Sequence, residues 1–398
     1  MKRVEHLTHQ GMGRTKEGKF VPRVLPGEEI ELLEDGTARI LTPSADRVAP
    51  PCRHYKSCGG CAMQHASDEF VAKWKVETVA RALAAQGIEA EISGIETSPA
   101  SSRRRAKLSG RRTKKGTLVG FHGRASDVVV EVPDCKLLSP ALLATLPALH
   151  ALTALAASRK GEVGLTVTES LAGPDIQIDT DKELSGELRI ELAALAQKHR
   201  IARLVWQDEQ VVMIEPPLQR FGMALVVPPA GAFLQATAEG EDALLRAVKQ
   251  AIGGASRIAD LFSGCGTFAL PLAETAEVHA VEGEKTMVAA LDRGWRETQG
   301  LKRLTHEARD LFRRPLLRDE LAKYDAIVID PPRAGAEAQI SEIAASTVPL
   351  VAMVSCNPIT FARDVKPLIA SGFMIESLVV VDQFRWSSHI EVAVKLVR

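Results

Sequence analysis

The 398-residue chain contains six cysteines, and three of them lie within the ten residues CRHYKSCGGC. Cys52, Cys58 and Cys61 follow the spacing C-x5-C-x2-C, and Cys135 is a fourth thiol far downstream. Four thiolates from two segments can bind a zinc ion or an iron-sulfur cluster. Zinc ribbons usually contain two C-x-x-C pairs, and this segment contains one. The spacing predicts a metal site and leaves the choice of metal open.

A glycine-rich turn follows a short apolar segment in SRIADLFSGCGTFALPLA. We expect a strand over 258–262, then Gly264 and Gly266, then a helix, which is how open α/β sheets let the backbone approach a nucleotide. Glu282 ends the next predicted strand, 22 residues after Asp260. That distance is typical of a carboxylate that accepts hydrogen bonds from ribose hydroxyls. The alternative is an ordinary tight turn between a strand and a helix.

Three further apolar segments end in polar residues that can do chemistry. One ends at Asp330 in VIDPPRAG, another at Cys356 in VSCNPITF, and the last strand begins near Glu391 in SSHIEVAV. Strand ends meet at one edge of a parallel sheet, so we expect a shared cleft. Cys356 is a small buried apolar residue or a nucleophile. Asn-Pro after it favours a nucleophile held toward the cleft, with a pKa lowered by the helix start that follows.

The order of predicted elements divides the chain into three parts. Residues 1–49 contain short strands separated by turn motifs, which predicts a small barrel. Residues 50–235 contain the cysteine segment, a helix in SDEFVAKWKVETVARALAAQG, a basic hairpin, and mixed strands and helices. From 236 onward strands alternate with helices, which predicts a parallel α/β sheet.

Positive charge is concentrated in one segment, although the formal net charge is +0. Between Ser101 and Arg124 there are nine Lys or Arg residues and no Asp or Glu. Such a run is either a solvated face or a surface that binds nucleic-acid phosphates. No apolar run approaches the roughly 20 residues of a membrane span, and the N-terminal segment has no signal-peptide core. We therefore expect a cytoplasmic protein that does not bind membranes and is a monomer.

Several motifs together resemble the RNA 5-methyluridine (uracil-C5) methyltransferases. They are DLFSGCGTF, AVEG, VIDPPRAG, SCNPITFARD and HIEVAV, in the order and spacing of that family, and the N-terminal GMGRTKEGKFVPRVLPGE resembles its TRAM barrel. The resemblance implies an α/β class I (Rossmann-like) methyltransferase domain at 236–398. It also implies a shortened TRAM/OB-like barrel at 1–49 and a central α+β domain at 50–235 that binds RNA and an iron-sulfur cluster.

The resemblance implies roles for individual residues. Cys356 is the nucleophile that adds to C6 of uracil, and Glu391 is the base that removes the C5 proton, with His389 as the alternative base. Cys265, between two glycines, has no catalytic role. S-adenosylmethionine is the methyl donor, and its expected contacts are Gln235, Phe262, Thr267, Glu282, Asp310 and Asp330.

The chain departs from the family pattern at two places. The family commonly has Asn where this chain has Thr267, which weakens that cofactor assignment. A proline is usual where this chain has Arg385 or Trp386. The resemblance further implies that Cys52, Cys58, Cys61 and Cys135 hold a 4Fe-4S cluster with a structural role, which places the basic segment beside the active site.

Other functions remain open from the residues alone. Enzymes that methylate an exocyclic amine usually have an aromatic residue after Asp-Pro-Pro, and this chain has Arg333. A non-catalytic RNA-binding assembly factor would not need Cys356, Glu282 and Glu391. The RNA is expected to be 23S ribosomal RNA, and a transfer RNA is the alternative, with phosphates bound by Arg103 to Lys115.

Overall fold

The computed structural model describes residues 1–159 and 161–398. The chain begins with an antiparallel sheet of order β3-β2-β1-β4-β5. Its apolar interior contains Val4, Val21, Val24 and Ile30. The strands are β1 (Lys2–Leu7), β2 (Gly13–Thr15), β3 (Phe20–Val21), β4 (Glu29–Leu32) and β5 (Ala38–Thr42).

The cysteine segment leads into helix α1 (Asp68–Ala84) and the short strand β6 (Ile95–Thr97). Ser67 caps the helix, because its hydroxyl accepts a hydrogen bond from the Phe70 amide at 3.2 Å, which satisfies one of the free N–H groups of the first turn. One face of α1 packs on the methyltransferase-like sheet through Val79 and Leu83. The predicted helix is therefore present, and it joins the cysteine segment to the C-terminal sheet.

The central part of the chain forms a second sheet of order β13-β12-β11-β10-β7-β8-β9. The predicted basic hairpin is β7 and β8, whose strands pair from Ser109 with Gly120 to Thr113 with Gly116. Helices α2 (Pro140–Ala144), α3 (Leu146–Ala156) and α4 (Gly186–Lys198) contribute to this region. The strands are β7 (Arg105–Thr113), β8 (Gly116–His122), β9 (Val129–Glu131), β10 (Glu162–Ser170), β11 (Gly173–Asp179), β12 (Arg203–Trp206) and β13 (Glu209–Met213).

A small hairpin, β14 (Gln219–Phe221) and β15 (Ala224–Val226), precedes the third sheet, of order β18-β17-β16-β19-β20-β22-β21-β6. Its strands are β16 (Arg257–Leu261), β17 (Glu277–Glu282), β18 (Leu304–Ala308), β19 (Ala326–Ile329), β20 (Leu350–Ser355), β21 (Met374–Asp382) and β22 (Glu391–Val397). The helices are α5 (Ala238–Ile252), α6 (Ala269–Leu272), α7 (Lys285–Glu297), α8 (Arg318–Leu321), α9 (Glu337–Ala345) and α10 (Pro358–Ala370).

The third sheet is parallel from β18 to β20, and β22 is antiparallel to both of its neighbours. Strand β19 is buried along its whole length, as expected for a parallel sheet covered on both faces. The strand order reverses between β16 and β19, and ligands of open α/β sheets bind at the carboxyl ends beside such a reversal. Among the described residues, no helix has the combined length and apolarity that a bilayer span requires.

Candidate active site

The glycine turn connects β16 to α6 at the sheet reversal. Gly264 and Gly266 have positive φ values of 57° and 99°, and a Cβ on Gly266 would lie 2.7 Å from Leu270. Only glycine adopts this backbone without strain. The Glu282 carboxylate accepts hydrogen bonds from the amides of Gly264 at 3.0 Å and Glu284 at 2.9 Å. The turn and the acidic strand end, which were predicted as separate signals, therefore form one structure.

Aromatic side chains border this turn. Phe262 has a positive φ of 61°, and its ring centroid lies 5.4 Å from that of Phe312. A non-glycine residue in this region of φ/ψ space is held there by its surroundings, which is common at functional sites. Asp310 is exposed and accepts a hydrogen bond from the Phe312 amide at 3.0 Å. Thr267 is half-buried at the end of the turn.

Gln235 reaches the same cleft from the segment before α5. Its side chain is buried, and Gln383 donates a hydrogen bond to the Gln235 side-chain oxygen over 2.5 Å. The Gln383 oxygen accepts from the Ala236 amide at 2.7 Å, which fixes the orientation of the amide group. Gln383, at the end of β21, was not predicted from the sequence.

Cys356 and Glu391 lie at the same end of neighbouring strands. Ser355 of β20 is paired with Val392 of β22, so the next residue on each antiparallel strand is Cys356 and Glu391. Asp330 follows β19, which is paired with β20. The register of three strands therefore brings the predicted nucleophile, the predicted base and a third acidic group to one edge of the sheet.

Burial controls the protonation of these groups. Desolvation and the charge of Asp330 raise the pKa of Glu391 to about 8, and desolvation raises the pKa of Asp330 itself to about 7. The pKa of Cys356 is raised to about 12 by desolvation and by the charges of Glu391 and Asp330, and Arg333 acts in the opposite direction. The expectation that the start of α10 lowers the thiol pKa is wrong for the free protein, because desolvation and two carboxylates outweigh the helix.

His389 is exposed at the mouth of the cleft. Its Nδ1 lies 3.3 Å from Nη1 of Arg333, and its ring packs edge-on against Phe384 at 5.3 Å. Desolvation and the nearby charges of Arg333, Lys75 and Arg103 lower the pKa of His389 to about 4. A group with so low a pKa is a weak base, so the arrangement favours Glu391 as the base.

Comparison with known proteins assigns the chain to a family. The model for tRNA (Uracil-5-)-methyltransferase matches residues 180–398. The chain is 42% identical over 393 residues to an uncharacterized RNA methyltransferase of Brucella suis biovar 1, covering 98% of this chain and 95% of that protein. It is 33% identical over 425 residues to 23S rRNA (uracil(1939)-C(5))-methyltransferase RlmD of Halomonas elongata, covering 98% and 87%. This chain belongs to the tRNA (uracil-5-)-methyltransferase family.

The fold agrees with this assignment. The crystal structure of Pyrococcus abyssi tRNA (uracil-54, C5)-methyltransferase in complex with S-adenosyl-L-homocysteine is similar to the model, with a TM-score of 0.77, 20% identity, and coverage of 100% of this chain and 99% of that one. The predicted Rossmann-like methyltransferase fold and the predicted RNA uracil-C5 methyltransferase activity class are confirmed. The N-terminal antiparallel sheet is also present.

The four predicted metal ligands of the methyltransferase come together in space. Cys52, Cys58, Cys61 and Cys135 line one cavity of about 40 Å³. The Cys58 sulfur accepts from the Gly60 amide at 3.3 Å, and the Cys135 sulfur accepts from the Leu137 amide at 3.4 Å. Over residues 1–159 and 161–398, no group of three or more His, Cys, Asp or Glu is placed to share one metal ion.

The basic segment of the methyltransferase is divided between interior and surface. Arg104 pairs with Glu241 at 2.5 Å, and Arg103 lines the cysteine cavity. Arg112, Lys114 and Lys115 are exposed at the turn between β7 and β8. The structure therefore narrows the surface available for phosphates to the tip of the hairpin.

Two buried polar groups beside the glycine turn were missed by sequence reasoning. Within the described residues, neither carboxyl oxygen of Asp260 has a hydrogen-bond partner, and the Ser263 hydroxyl has none. Buried polar atoms are usually paired, so such groups mark a place where a ligand completes the hydrogen bonds. Desolvation, followed by the charge of Asp330, raises the pKa of Asp260 well above its usual range. The signal in the sequence was their position in DLFSG, next to the turn.

Proposed function

We propose that this chain transfers a methyl group from S-adenosylmethionine to C5 of a uridine in RNA through a covalent adduct with Cys356. The observation that carries the proposal is the shared strand end of Cys356 and Glu391, one strand away from Asp330 and beside the glycine turn. This arrangement provides a nucleophile and a base on one side of a cofactor cleft.

Uracil C5 needs activation because the ring is electron-deficient. The thiolate of Cys356 adds to C6, and the electron pair of the C5=C6 bond moves toward O4 to give an enolate. S-adenosylmethionine supplies an electrophilic methyl group on a sulfonium, which C5 takes up. Glu391 then removes the C5 proton, the C5=C6 bond forms again, and the thiolate leaves.

Electrostatics define what each group must do as RNA binds. With a pKa of about 12, Cys356 is protonated in the free protein, so its proton has to be removed before attack. The charge of Arg333 lowers the pKa of the thiol, and the side chain reaches His389. Arg333 therefore stabilises the thiolate from the open side of the cleft.

The cofactor site proposed here has Glu282 on the ribose hydroxyls and Gln235, Phe262, Thr267, Asp310 and Asp330 around the remainder of the donor. The positive-φ glycines and the unpaired polar atoms of Asp260 and Ser263 fit a nucleoside-containing ligand at the turn. Incubation with radiolabelled donor and unmodified RNA, followed by digestion to nucleosides, tests the proposal. Label in 5-methyluridine supports it, and label only in an N-methylated base contradicts it.

We also propose that Cys52, Cys58, Cys61 and Cys135 hold a 4Fe-4S cluster. The four thiols line one cavity without being placed to share a single ion, and thiolates on separate iron atoms suit that arrangement better than a zinc site with Zn–S bonds of about 2.3 Å. Amide donors to two of the sulfurs would stabilise bound thiolates. Anaerobic purification with iron and sulfide analysis tests this. Stoichiometric zinc without sulfide contradicts it.

The RNA substrate that we propose is 23S ribosomal RNA. The support is the identity to a relative named as a 23S rRNA methyltransferase, which extends over 98% of this chain. We propose a division into a TRAM-like barrel at 1–49, a central iron-sulfur and RNA-binding domain at 50–235, and the methyltransferase domain at 236–398. Mapping of 5-methyluridine in RNA from a strain that lacks the protein tests the substrate. Loss of the modification from transfer RNA alone contradicts ribosomal RNA as the substrate.

A further inference from the structure

A lysine on helix α1 is buried beside the active site. Lys75 has no exposed surface, and its ammonium group donates to the Asp382 carboxylate at 2.5 Å and to the carbonyl oxygens of His389 at 2.9 Å and Phe384 at 3.2 Å. An ammonium group has three donors, and all three are used. All three acceptors lie between Asp382 and His389, in the segment that connects β21 to β22 and ends beside Glu391.

The same connection, which we name the 383–390 loop, is held by other residues near α1. The Trp386 carbonyl accepts from the amides of Ala62 at 2.8 Å and Met63 at 2.9 Å. Asp68 accepts from Arg385 at 2.5 Å and from the Trp386 indole at 3.1 Å. Trp386 has a positive φ of 57°, a conformation that persists only where the surroundings hold it. Arg385 and Trp386 are the positions where this chain departs from the family pattern.

We propose that Lys75 is a positioning residue for the base: it fixes the 383–390 loop and places a positive charge near Glu391. The inference rests on the proposed function, in which Glu391 removes the C5 proton. Burying an ammonium group is costly unless it is paired and fully hydrogen bonded. Packing alone would be served by an apolar side chain of the same length, whereas three bonds to one loop define the position of that loop.

Several groups act on the charge of Glu391. From the ends of β19 and β20 come Asp330, Arg333 and Cys356, from the loop side come Asp382, Gln383 and His389, and from α1 comes Lys75. Asp330 raises the pKa of Glu391, and a hydrogen bond from Gln383 and the charges of Arg333 and Lys75 lower it. Removal of the Lys75 charge would raise that pKa further, so a larger fraction of the base would be protonated at neutral pH.

Lys75→Met tests the inference, and Lys73→Met is the matched control because Lys73 is exposed on the same helix. RNA with 5-fluorouridine at the target has no C5 proton, so its methylated adduct reports thiol addition and methyl transfer without proton removal. We expect Lys75→Met to form this adduct within about threefold of the wild-type rate. On uridine RNA we expect turnover to fall by about tenfold or more, with accumulation of the covalent methylated intermediate. The pH midpoint of turnover should move upward, and Lys73→Met should behave as wild type.

Equal losses of adduct formation and turnover, or an unchanged pH midpoint, would overturn the positioning role. If the wild-type protein forms no adduct with 5-fluorouridine RNA, the proposed function itself fails, and the inference fails with it. Asp68→Asn provides a milder variant should Lys75→Met not fold, because Asp68 is exposed on one side. It should slow turnover on uridine RNA relative to adduct formation without moving the pH midpoint. Normal turnover in Asp68→Asn would contradict the anchoring of the loop.

Discussion

The two groups of cysteines in this methyltransferase lie in contrasting settings. Cys356 stands alone at the end of a parallel strand, among the carboxyl groups of Glu391 and Asp330, with Arg333 as the nearby positive charge. The four cysteines of the cavity stand together in loops, where Cys58 and Cys135 receive backbone amides. Desolvation raises the thiol pKa in both places, to about 12 for Cys356 and for Cys61.

The shared pKa direction shows that a buried thiol needs a positive partner to become a thiolate, and the surroundings indicate which partner. In the cavity, thiolates that raise one another's pKa require the positive charge of a metal centre. At the strand end, only one thiol must ionise, and one arginine with a bound substrate is sufficient. The two regions therefore differ in whether the thiolate is permanent or formed during reaction.

The largest expected effect separates the two groups of thiols by function. Cys356→Ala should lower methylation by at least about a thousandfold, because the uracil ring then has no route to a nucleophilic C5. Its iron content should stay at the wild-type value. Cys265→Ala is the control, since Cys265 is buried and has no proposed role. Transfer of radiolabel to RNA measures the effect, and a comparable loss in Cys265→Ala would reverse the assignment.

The opposite pattern is expected for Cys135→Ser. Loss of one ligand should release most of the iron and sulfide and lower the thermal midpoint of unfolding, because a structural metal centre contributes to folding free energy. Activity should fall as a consequence of the altered structure, since the Ala62 and Met63 amides that follow Cys61 hold the Trp386 carbonyl. Iron analysis with calorimetry measures both effects. Full iron content in Cys135→Ser would contradict the proposed ligand set.

A smaller effect concerns pH. Glu391 has a pKa of about 8, raised from its usual value, and only the ionised form removes a proton. The proton-removal rate should therefore rise about tenfold per pH unit below about pH 8 and level off above it. Single-turnover release of methylated RNA from pH 6 to 9.5 measures this. A rate that is flat across pH 6 to 8 would exclude Glu391 as the base.

The smallest expected effect concerns the hairpin tip. Lys114→Ala should reduce the slope of log affinity against log salt by about 0.7 to 0.9, because one phosphate contact is lost. Lys107→Ala is a suitable control, since Lys107 is paired with Asp179 at 3.0 Å. Binding titrations at several salt concentrations measure the slopes. An effect of Lys107→Ala equal to that of Lys114→Ala would mean that the tip has no special role in RNA binding.

The features that sequence predicted well depend on local patterns. The glycine turn, Glu282 and the strands around Cys356 each follow from a contiguous run of residues, and the parallel sheet follows from the alternation of strands and helices. Features that depend on contacts between distant segments were missed. Lys75 and Asp382 are 307 positions apart, and Gln235 and Gln383 are 148 apart, so neither pair has a signal in a single sequence. The thiol pKa was mispredicted because the helix start is visible in the sequence and the desolvation is not.

The most direct test of the covalent mechanism is a denaturing gel of Glu391→Gln with radiolabelled RNA and S-adenosylmethionine. Since the glutamine cannot remove the C5 proton, the methylated RNA should stay bound and migrate as a slow band. Mass spectrometry of the digested band should place the nucleotide on Cys356. The band should be absent from the Cys356→Ala, Glu391→Gln double variant. A band that survives in the double variant, or a nucleotide mapped to Cys265, would contradict the account.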